Sequence, residues 1–119
     1  MSVPPEHLQV SLNDAVALAT EVWRLTRGLD ATAPSSENTS TRYSIRQISR
    51  VLSNLEITIL DHTGRPYEAG LIEDVVDIVE DPALPIGQQV IEEVVSPTIA
   101  WRGNIVRPGQ ITVRRSIRS

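Results

Sequence analysis

Hydrophobic residues in the first quarter of the chain recur with the period of an α-helix. They fall three or four residues apart after Ser11, a good N-cap residue with Asp14 in the capping-box position. Gly28 is a natural stop. The pattern predicts one amphipathic helix after an extended lead-in over residues 1–10. Its apolar face consists of Leu12, Ala15, Val16, Ala19, Val22 and Trp23.

A segment of small polar residues separates this helix from a second periodic stretch. Residues 30–40 carry too little apolar surface to offset the entropy of ordering the chain, which predicts a flexible linker. The residues from Thr41 to Leu52 again show a helical period, and Leu55 continues their apolar stripe. The apolar face of this predicted second helix is Ile45, Ile48 and Leu52.

From Leu55 onward the period changes to that of β-strands. Apolar and polar residues alternate over residues 55–59, and later short runs are rich in valine and isoleucine. The run from Leu71 to Glu80 also fits a helix, but its β-branched content favours a strand. The spacing predicts a compact, mostly antiparallel sheet or small barrel. The further predicted strands are Gln89–Val95, Ile99–Trp101, Ile105–Val106 and Ile111–Val113, with a loop over 81–87 and a tight turn over 102–104.

The chain is therefore predicted to be an α+β protein, with two amphipathic helices followed by a small, mostly antiparallel β-domain. The helical region covers residues 1–54, the β-domain residues 55–115, and a basic tail residues 116–119. Because two short amphipathic helices do not bury their apolar faces alone, we expect a homodimer or docking on a larger assembly. The residues expected at that interface are Leu12, Val16, Ala19, Trp23, Ile45, Ile48 and Leu52.

Composition narrows the class of protein. The 119 residues include no cysteine, which excludes disulfides, thiolate catalysis and cysteine-ligated metals. The net charge of −4 argues against nucleic-acid binding, because an acidic chain lacks the field that neutralises phosphates. No apolar run approaches the roughly 18 residues that cross a membrane, and the amino terminus lacks a signal-peptide pattern. We therefore expect a cytoplasmic protein with no membrane or nucleic-acid partner.

Charge is segregated within the β-domain. Residues 68–93 include eight carboxylates and no basic residue, whereas residues 102–118 include five arginines and no acid. Such patches pair internally across a sheet, self-associate or bind a polar partner, and the sequence leaves these alternatives open. In the second helix, a basic stripe is either a solvated face with acidic neighbours or a docking surface for an acidic partner. The stripe consists of Arg42, Arg46 and Arg50.

Nothing in the sequence forms a recognisable catalytic, cofactor or metal site. The two histidines, His7 and His62, are far apart, and we expect His62 to be a solvent-exposed turn residue. Adjacent acids on a strand point to opposite faces, so they do not form a two-carboxylate site. Calcium-loop and phosphate-loop spacings are both missing from the sequence. The chain is therefore not expected to be an enzyme or to need a cofactor.

A series of short motifs runs in order through the β-domain. They are Gly64-Arg65-Pro66-Tyr67-Glu68, Leu71 with Glu73, Pro85-Ile86-Gly87, Val90-Ile91-Glu92-Glu93, and the closing segment from Gly103 to Val113. Together they resemble the β-domain of GrpE, the nucleotide exchange factor of DnaK-type chaperones. The closing segment is the most specific of them. The chain departs from the family in three places: the long amino-terminal paired helix is missing, Ile72 replaces a histidine, and Asn104 replaces a frequent arginine.

The resemblance implies a protein-binding function. A GrpE β-domain wedges against the nucleotide-binding domain of its chaperone and holds the cleft open, so that ADP leaves. The implied partner is a DnaK-like ATPase; the alternative is a structural or adaptor subunit that reuses the module in a larger assembly. Trp101 and Tyr67 are also candidates for packing the sheet, and Pro66 for shaping a turn. The implied contact residues are Pro66, Tyr67, Trp101, Asn104, Val106 and Arg107.

Overall fold

A computed structural model describes residues 6–33, 35–68 and 71–117. It confirms the α+β class, with two helices followed by a small, mostly antiparallel β-domain. The predicted tail overlaps the last strand, since Ser116 ends β6; residues 118–119 lie outside the described residues. The elements are α1 (Leu12–Asp30), α2 (Ser36–Asn54), β1 (Ile57–Leu60), β2 (Asp74–Asp81), β3 (Gln89–Ser96), β4 (Thr98–Trp101), β5 (Asn104–Arg107) and β6 (Gln110–Ser116).

Helix α1 begins as its capping pattern predicts. The backbone N–H of Asp14 donates to the Ser11 hydroxyl at 3.1 Å. The helix continues two residues beyond Gly28 and ends at Asp30, where the Ala31 N–H still donates to the Arg27 carbonyl. Of the predicted apolar face only Leu12 is exposed, at 40%, because it is the first helical residue and lies at the margin of the core.

Helix α2 is longer than predicted, and the predicted linker is correspondingly too long. The helix begins at Ser36 and ends at Asn54. The small polar residues assigned to a linker instead serve its first turn: Glu37 adds a favourable charge there, and the Thr39 hydroxyl donates to the Ser35 carbonyl at 3.2 Å. Side chains that suit a linker thus also suit a helix start.

Within the residues that the structure describes, six strands form two three-stranded sheets. The first has the order β1-β4-β5 and the second the order β2-β6-β3. All pairs are antiparallel except β2 with β6. The ambiguous run after Leu71 is a strand, although it begins at Asp74. β1 begins at Ile57, later than predicted, because Leu55 is the C-cap of α2 and its N–H donates to helical carbonyls.

The helices bury their apolar faces against the β-domain of the same chain. A first core joins both helices to the first sheet, with Ala19 and Ile99 fully buried. Trp23 extends from α1 into a second core, where it packs with Ile91 and Val113 of the second sheet. Arg27 adds a polar link, because its guanidinium lies 5.1 Å from the Trp23 ring centroid and 2.9 Å from Glu93.

This packing overturns the reason given for the predicted helix interface. Two short helices were expected to need a second copy or a partner, but the chain's own sheets supply the missing surface. Five of the expected interface residues are buried within the chain, Ile48 is partly buried, and only Leu12 is exposed. A homodimer stays a prediction, but it no longer follows from unburied helix faces. The five buried residues are Val16, Ala19, Trp23, Ile45 and Leu52.

Candidate functional site

The turn between β4 and β5 places a compact group of polar and aromatic residues at one end of the first sheet. Trp101 pairs with Asn104 across the turn Arg102-Gly103. On the other side Trp101 pairs with Ile57, which brings Glu56 beside the same turn. We call the group Glu56, Trp101, Arg102 and Asn104 the hairpin end.

Two residues of the hairpin end have an unfavourable backbone conformation. Arg102 has φ 52° and Gly103 has φ 81°, as in the type I′ turns that connect tight hairpins. The first position of such a turn favours asparagine or glycine. Glu56 also has a positive φ, at 64°. A left-handed conformation costs an ordinary residue roughly 1–2 kcal/mol, so two such residues side by side are a notable local cost.

Three contacts hold these two residues in place. The Arg102 N–H donates to the Glu56 carbonyl at 3.0 Å, and Arg102 Nε lies 2.8 Å from Glu56 Oε2. The Arg102 guanidinium also lies 4.6 Å from the centroid of the Trp101 ring. The side chains of the ion pair are 62% and 59% exposed, and pairs this exposed stabilise a fold by about 0–1 kcal/mol. The contacts therefore position the side chains more than they stabilise the protein.

An apolar groove lies next to the hairpin end. It has a volume of about 420 Å³ and runs between the lead-in, the start of α1 and the side of Trp101. Leu8 is 87% exposed in its wall. The Trp101 indole N–H donates to the Leu55 carbonyl at 3.1 Å, which fixes the ring at the rim. The lining residues are Leu8, Val10, Leu12, Ala15, Asn54, Leu55, Glu56, Ile57, Trp101 and Arg102.

The structure places two of the predicted contact residues at this site. Trp101 is partly buried at the rim, and Asn104 is exposed with its side-chain amide donating to the Arg102 carbonyl at 3.4 Å. Val106 and Arg107 lie on the same hairpin but face the helices. Val106 packs on the first core, and Arg107 Nη1 donates to the Thr20 hydroxyl at 3.2 Å.

The other two predicted contact residues belong to the second sheet. Tyr67 packs against the second core, and its N–H donates to the Gln89 carbonyl of β3 at 2.9 Å. Pro66 is exposed and forms an isolated bridge with Val90. The structure thus brings Trp101 and Asn104 together, while Pro66 and Tyr67 lie along a different sheet.

Sequence reasoning missed Glu56 and Arg102 as members of the site. Arg-Gly stands where a two-residue hairpin turn favours Asn-Gly, and that mismatch is a signal the sequence does carry. Glu56 gives no such signal, because its position depends on the pairing of Ile57 with Trp101.

The expectation that His62 is a solvent-exposed turn residue is wrong. Its side chain is only 25% exposed, and Nδ1 lies 2.5 Å from Oε1 of Glu73, whose side chain is 5% exposed. The segment after β1 lies against the residue that precedes β2, which explains the burial. Within residues 6–33, 35–68 and 71–117, no three histidine or acidic side chains are grouped to hold a metal ion.

Asp61 links the β-domain to α1. It accepts hydrogen bonds from the Trp23 indole N–H at 2.8 Å and from the Thr63 N–H at 3.0 Å. Partial burial acts to raise the pKa of Asp61, but these bonds, the Thr63 hydroxyl and the positive charge of Arg27 lower it below the usual 3.8. The charged carboxylate is therefore the form that the fold favours.

The lowered pKa of Asp61 predicts a specific loss of stability in acid. A carboxyl whose pKa is lower in the folded state stabilises the fold above its unfolded value, here 3.8, and loses that contribution as pH falls through the folded value. Below about pH 4, we expect the unfolding free energy of Asp61→Asn to fall less steeply with pH than that of the wild-type protein. Urea titrations at a series of acidic pH values measure this decline. Glu68→Gln, with the same loss of charge on an exposed side chain outside the helices and strands, is the control and should leave the decline unchanged. An equal flattening in both variants would contradict the assignment.

The segregated charges of the β-domain pair within the chain, which confirms one of the open alternatives. Arg114 lies 3.3 Å from both Asp81 and Glu92, and Arg115 lies 3.5 Å from Glu80. On α2, Arg42 lies 3.8 Å from Asp30 of the first helix, which fits the solvated-face interpretation for this residue of the stripe. These pairs connect neighbouring elements of the fold. Within the described residues, Arg46 and Arg50 have no such acidic neighbour, so the two interpretations of the stripe stay open for them.

Comparisons with known proteins do not assign the chain to a family. No protein-family model matches the chain, and a comparison with curated protein sequences gives no match. Over the described residues, neither helix is long and apolar enough to cross a membrane.

Proposed function

We propose that the chain is a GrpE-like cochaperone that binds the nucleotide-binding domain of a DnaK-like ATPase through its hairpin end and promotes ADP release. The proposal includes a cytoplasmic location and a role without catalysis or cofactor. The motif resemblance from Gly64 to Val113 supports the choice of partner. The hairpin end supports the choice of surface.

The observation that carries the proposal is the cluster of the exposed Glu56 and Arg102 with the partly exposed Trp101. Its backbone is strained at two residues, yet its ion pair is too exposed to repay that cost in stability. Strained, exposed groups of this kind are typical of functional surfaces. A partly exposed tryptophan with an arginine on its face, beside an apolar groove, is also a typical anchor of protein interfaces.

Exchange by such a surface requires no chemical step. The module would bind the open form of the ATPase cleft more tightly than the closed form, and the difference in affinity shifts the equilibrium towards opening. The rigid hairpin suits this role, because Trp101 is held by strand pairing on both sides and by the Leu55 carbonyl. A preformed surface loses little conformational entropy when it binds.

A release assay tests the proposal. A DnaK-like ATPase from the same organism is loaded with fluorescently labelled ADP, and release is followed with an excess of unlabelled nucleotide. Saturating wild-type protein should accelerate release by about tenfold or more, which corresponds to lowering the activation free energy of release by at least about 1.4 kcal/mol. Unchanged release at saturation would overturn the exchange role.

Two hairpin variants connect activity to the proposed surface. Arg102→Gly relieves the positive-φ strain but removes the ion pair and the stacked guanidinium, so it should retain stability and lose most of the acceleration. Trp101→Ala should also lose it. Tyr43→Ala, which removes a 58% exposed aromatic residue from α2, is the control and should remain active. If Arg102→Gly and Tyr43→Ala retained equal activity, the hairpin end would not be the contact surface.

The alternative is a structural or adaptor subunit of a larger assembly. The observation that favours it is the groove beside the hairpin end, because Leu8 and Val10 in its wall are 87% and 56% exposed. Exposed apolar surface of this kind suits a stable interface. An adaptor would purify from its host in fixed stoichiometry with a partner that is not a chaperone and would leave ADP release unchanged.

A further inference from the structure

We propose that the outer edge of β2 binds an extended, basic peptide segment as an added strand. This edge, the side of β2 that faces away from β6, belongs to the second sheet and shares no residue with the hairpin end. The inference therefore stands independently of the cochaperone proposal. An added strand gains affinity from backbone hydrogen bonds and specificity from alternating side chains.

The two outer strands of the second sheet differ in how their edges are covered. The outer edge of β3 is paired with the segment between β1 and β2: the Gly64 N–H donates to the Ile91 carbonyl, and the Ile91 N–H donates to the Arg65 carbonyl, both at 2.9 Å. For β2, the described residues supply no backbone partner on the side away from β6. This free edge runs over eight residues, from Asp74 to Asp81.

The side chains of β2 suit strand addition. Val76, Ile78 and Val79 are each about half exposed, at 51%, 46% and 47%. Natural edge strands are commonly protected by charged residues, proline or bulges. β2 contains no lysine or proline, and all of its charged residues are acidic, so they disfavour an acidic strand but not a basic one. It does contain a bulge between Val75 and Asp77, where the Ile78 N–H donates to the Asp77 carboxylate at 2.9 Å. The Asp77 side chain satisfies this donor in the free protein, and we expect a carbonyl of an added strand to take its place.

The charge of the edge selects a basic occupant. Glu80 and Asp81 are neutralised by arginines of β6. Within the described residues, no arginine lies within ion-pair distance of Asp74 or Asp77, so two carboxylates remain available. Pairing of this edge with the same edge of a second copy would bring acidic strands together, which is unfavourable. The occupant that fits is a strand with arginine or lysine alternating with β-branched residues.

The test uses a seven-residue peptide of alternating arginine and valine, capped at both ends and fluorescently labelled. Fluorescence anisotropy should show saturable binding to the wild-type chain. The same sequence with alternate amides N-methylated keeps its charge but loses its ladder donors, and we expect it to bind at least about tenfold more weakly. Hydrogen exchange should slow at β2 amides when the unmodified peptide is bound.

Matched variants separate strand addition from simple charge attraction. Asp74→Asn with Asp77→Asn removes two charges from the edge and should weaken binding severalfold. Glu21→Gln with Glu37→Gln removes two charges from the helices and should leave binding unchanged. Equal binding of the N-methylated peptide, equal effects of the two double variants, or slowed exchange outside β2 would overturn the proposal.

Discussion

Replacing Gly109 with alanine is expected to lower the free energy of unfolding by roughly 2–4 kcal/mol. An alanine Cβ would lie 2.7 Å from the Thr98 hydroxyl and 2.8 Å from the Ser96 carbonyl oxygen. The backbone must shift to relieve these contacts, and overpacking of a filled site costs about 1–3 kcal/mol. The shift also disturbs the hydrogen bond from the Gly109 N–H to the Thr98 hydroxyl, at 2.9 Å, for about 1 kcal/mol more.

Gly28→Ala is the matched control. Gly28 lies within α1, and a Cβ there meets no atom within 4 Å. Alanine should raise stability by about 0.5–1 kcal/mol, because glycine is unfavourable inside a helix. Urea denaturation of both variants measures the two changes. A similar change in both would show that the crowding around Gly109 is not as described.

Replacing Ile99 with alanine is expected to cost about 2–5 kcal/mol. Ile99 is fully buried in the first core and pairs with Ile59 on one side and Arg107 on the other. Its removal leaves a cavity where the helices meet the first sheet. Both the helical region and the β-domain should therefore lose protection from hydrogen exchange together, since one core joins them.

Leu18→Ala provides the comparison for Ile99. Leu18 is 45% exposed on α1, so the same kind of truncation should cost less than about 1 kcal/mol. A loss of exchange protection confined to the sheet in Ile99→Ala would contradict a core shared with the helices. It would indicate instead that the two parts unfold separately.

Elements with strong local signals could be predicted from the sequence. The start of α1 depends on Ser11 and Asp14, which lie three residues apart and form the predicted hydrogen bond. The hairpin turn at Gly103 is also predicted by a local signal, because glycine readily adopts the positive φ of 81° that the turn requires. Local signals were weaker at α2, because serine and threonine serve both linkers and helix starts, so its first five residues were missed.

Features that depend on tertiary packing could not be predicted. The parallel pairing of β2 with β6 joins residues that are distant in sequence, such as Asp74 and Gln110. The hydrophobic periodicity of a strand does not indicate which distant strand it pairs with. The same limit applies to Trp23, whose position in the core of the second sheet depends on how α1 crosses the β-domain. It was therefore assigned to a helix interface.

Only part of the candidate site could be predicted, because some of its residues come together only through tertiary packing. Asn104 lies in the closing motif, which is continuous in sequence, and Trp101 comes two residues before that motif. Glu56 joins them only through the register of β1 with β4. His62 was misassigned because its partner Glu73 lies on the far side of a loop. Burial of a polar residue by a distant segment leaves no trace in the local sequence.

The most direct test of the proposed function compares the affinity of this protein for a nucleotide-free and an ADP-loaded DnaK-like ATPase, measured by calorimetry. Reciprocity of coupled binding requires that a protein which weakens ADP binding is itself bound more weakly when ADP is present, by the same factor. We predict binding that is about tenfold or more tighter to the nucleotide-free ATPase, and that is lost in Arg102→Gly. Equal affinity for the two forms, or no binding to either, would contradict the proposal.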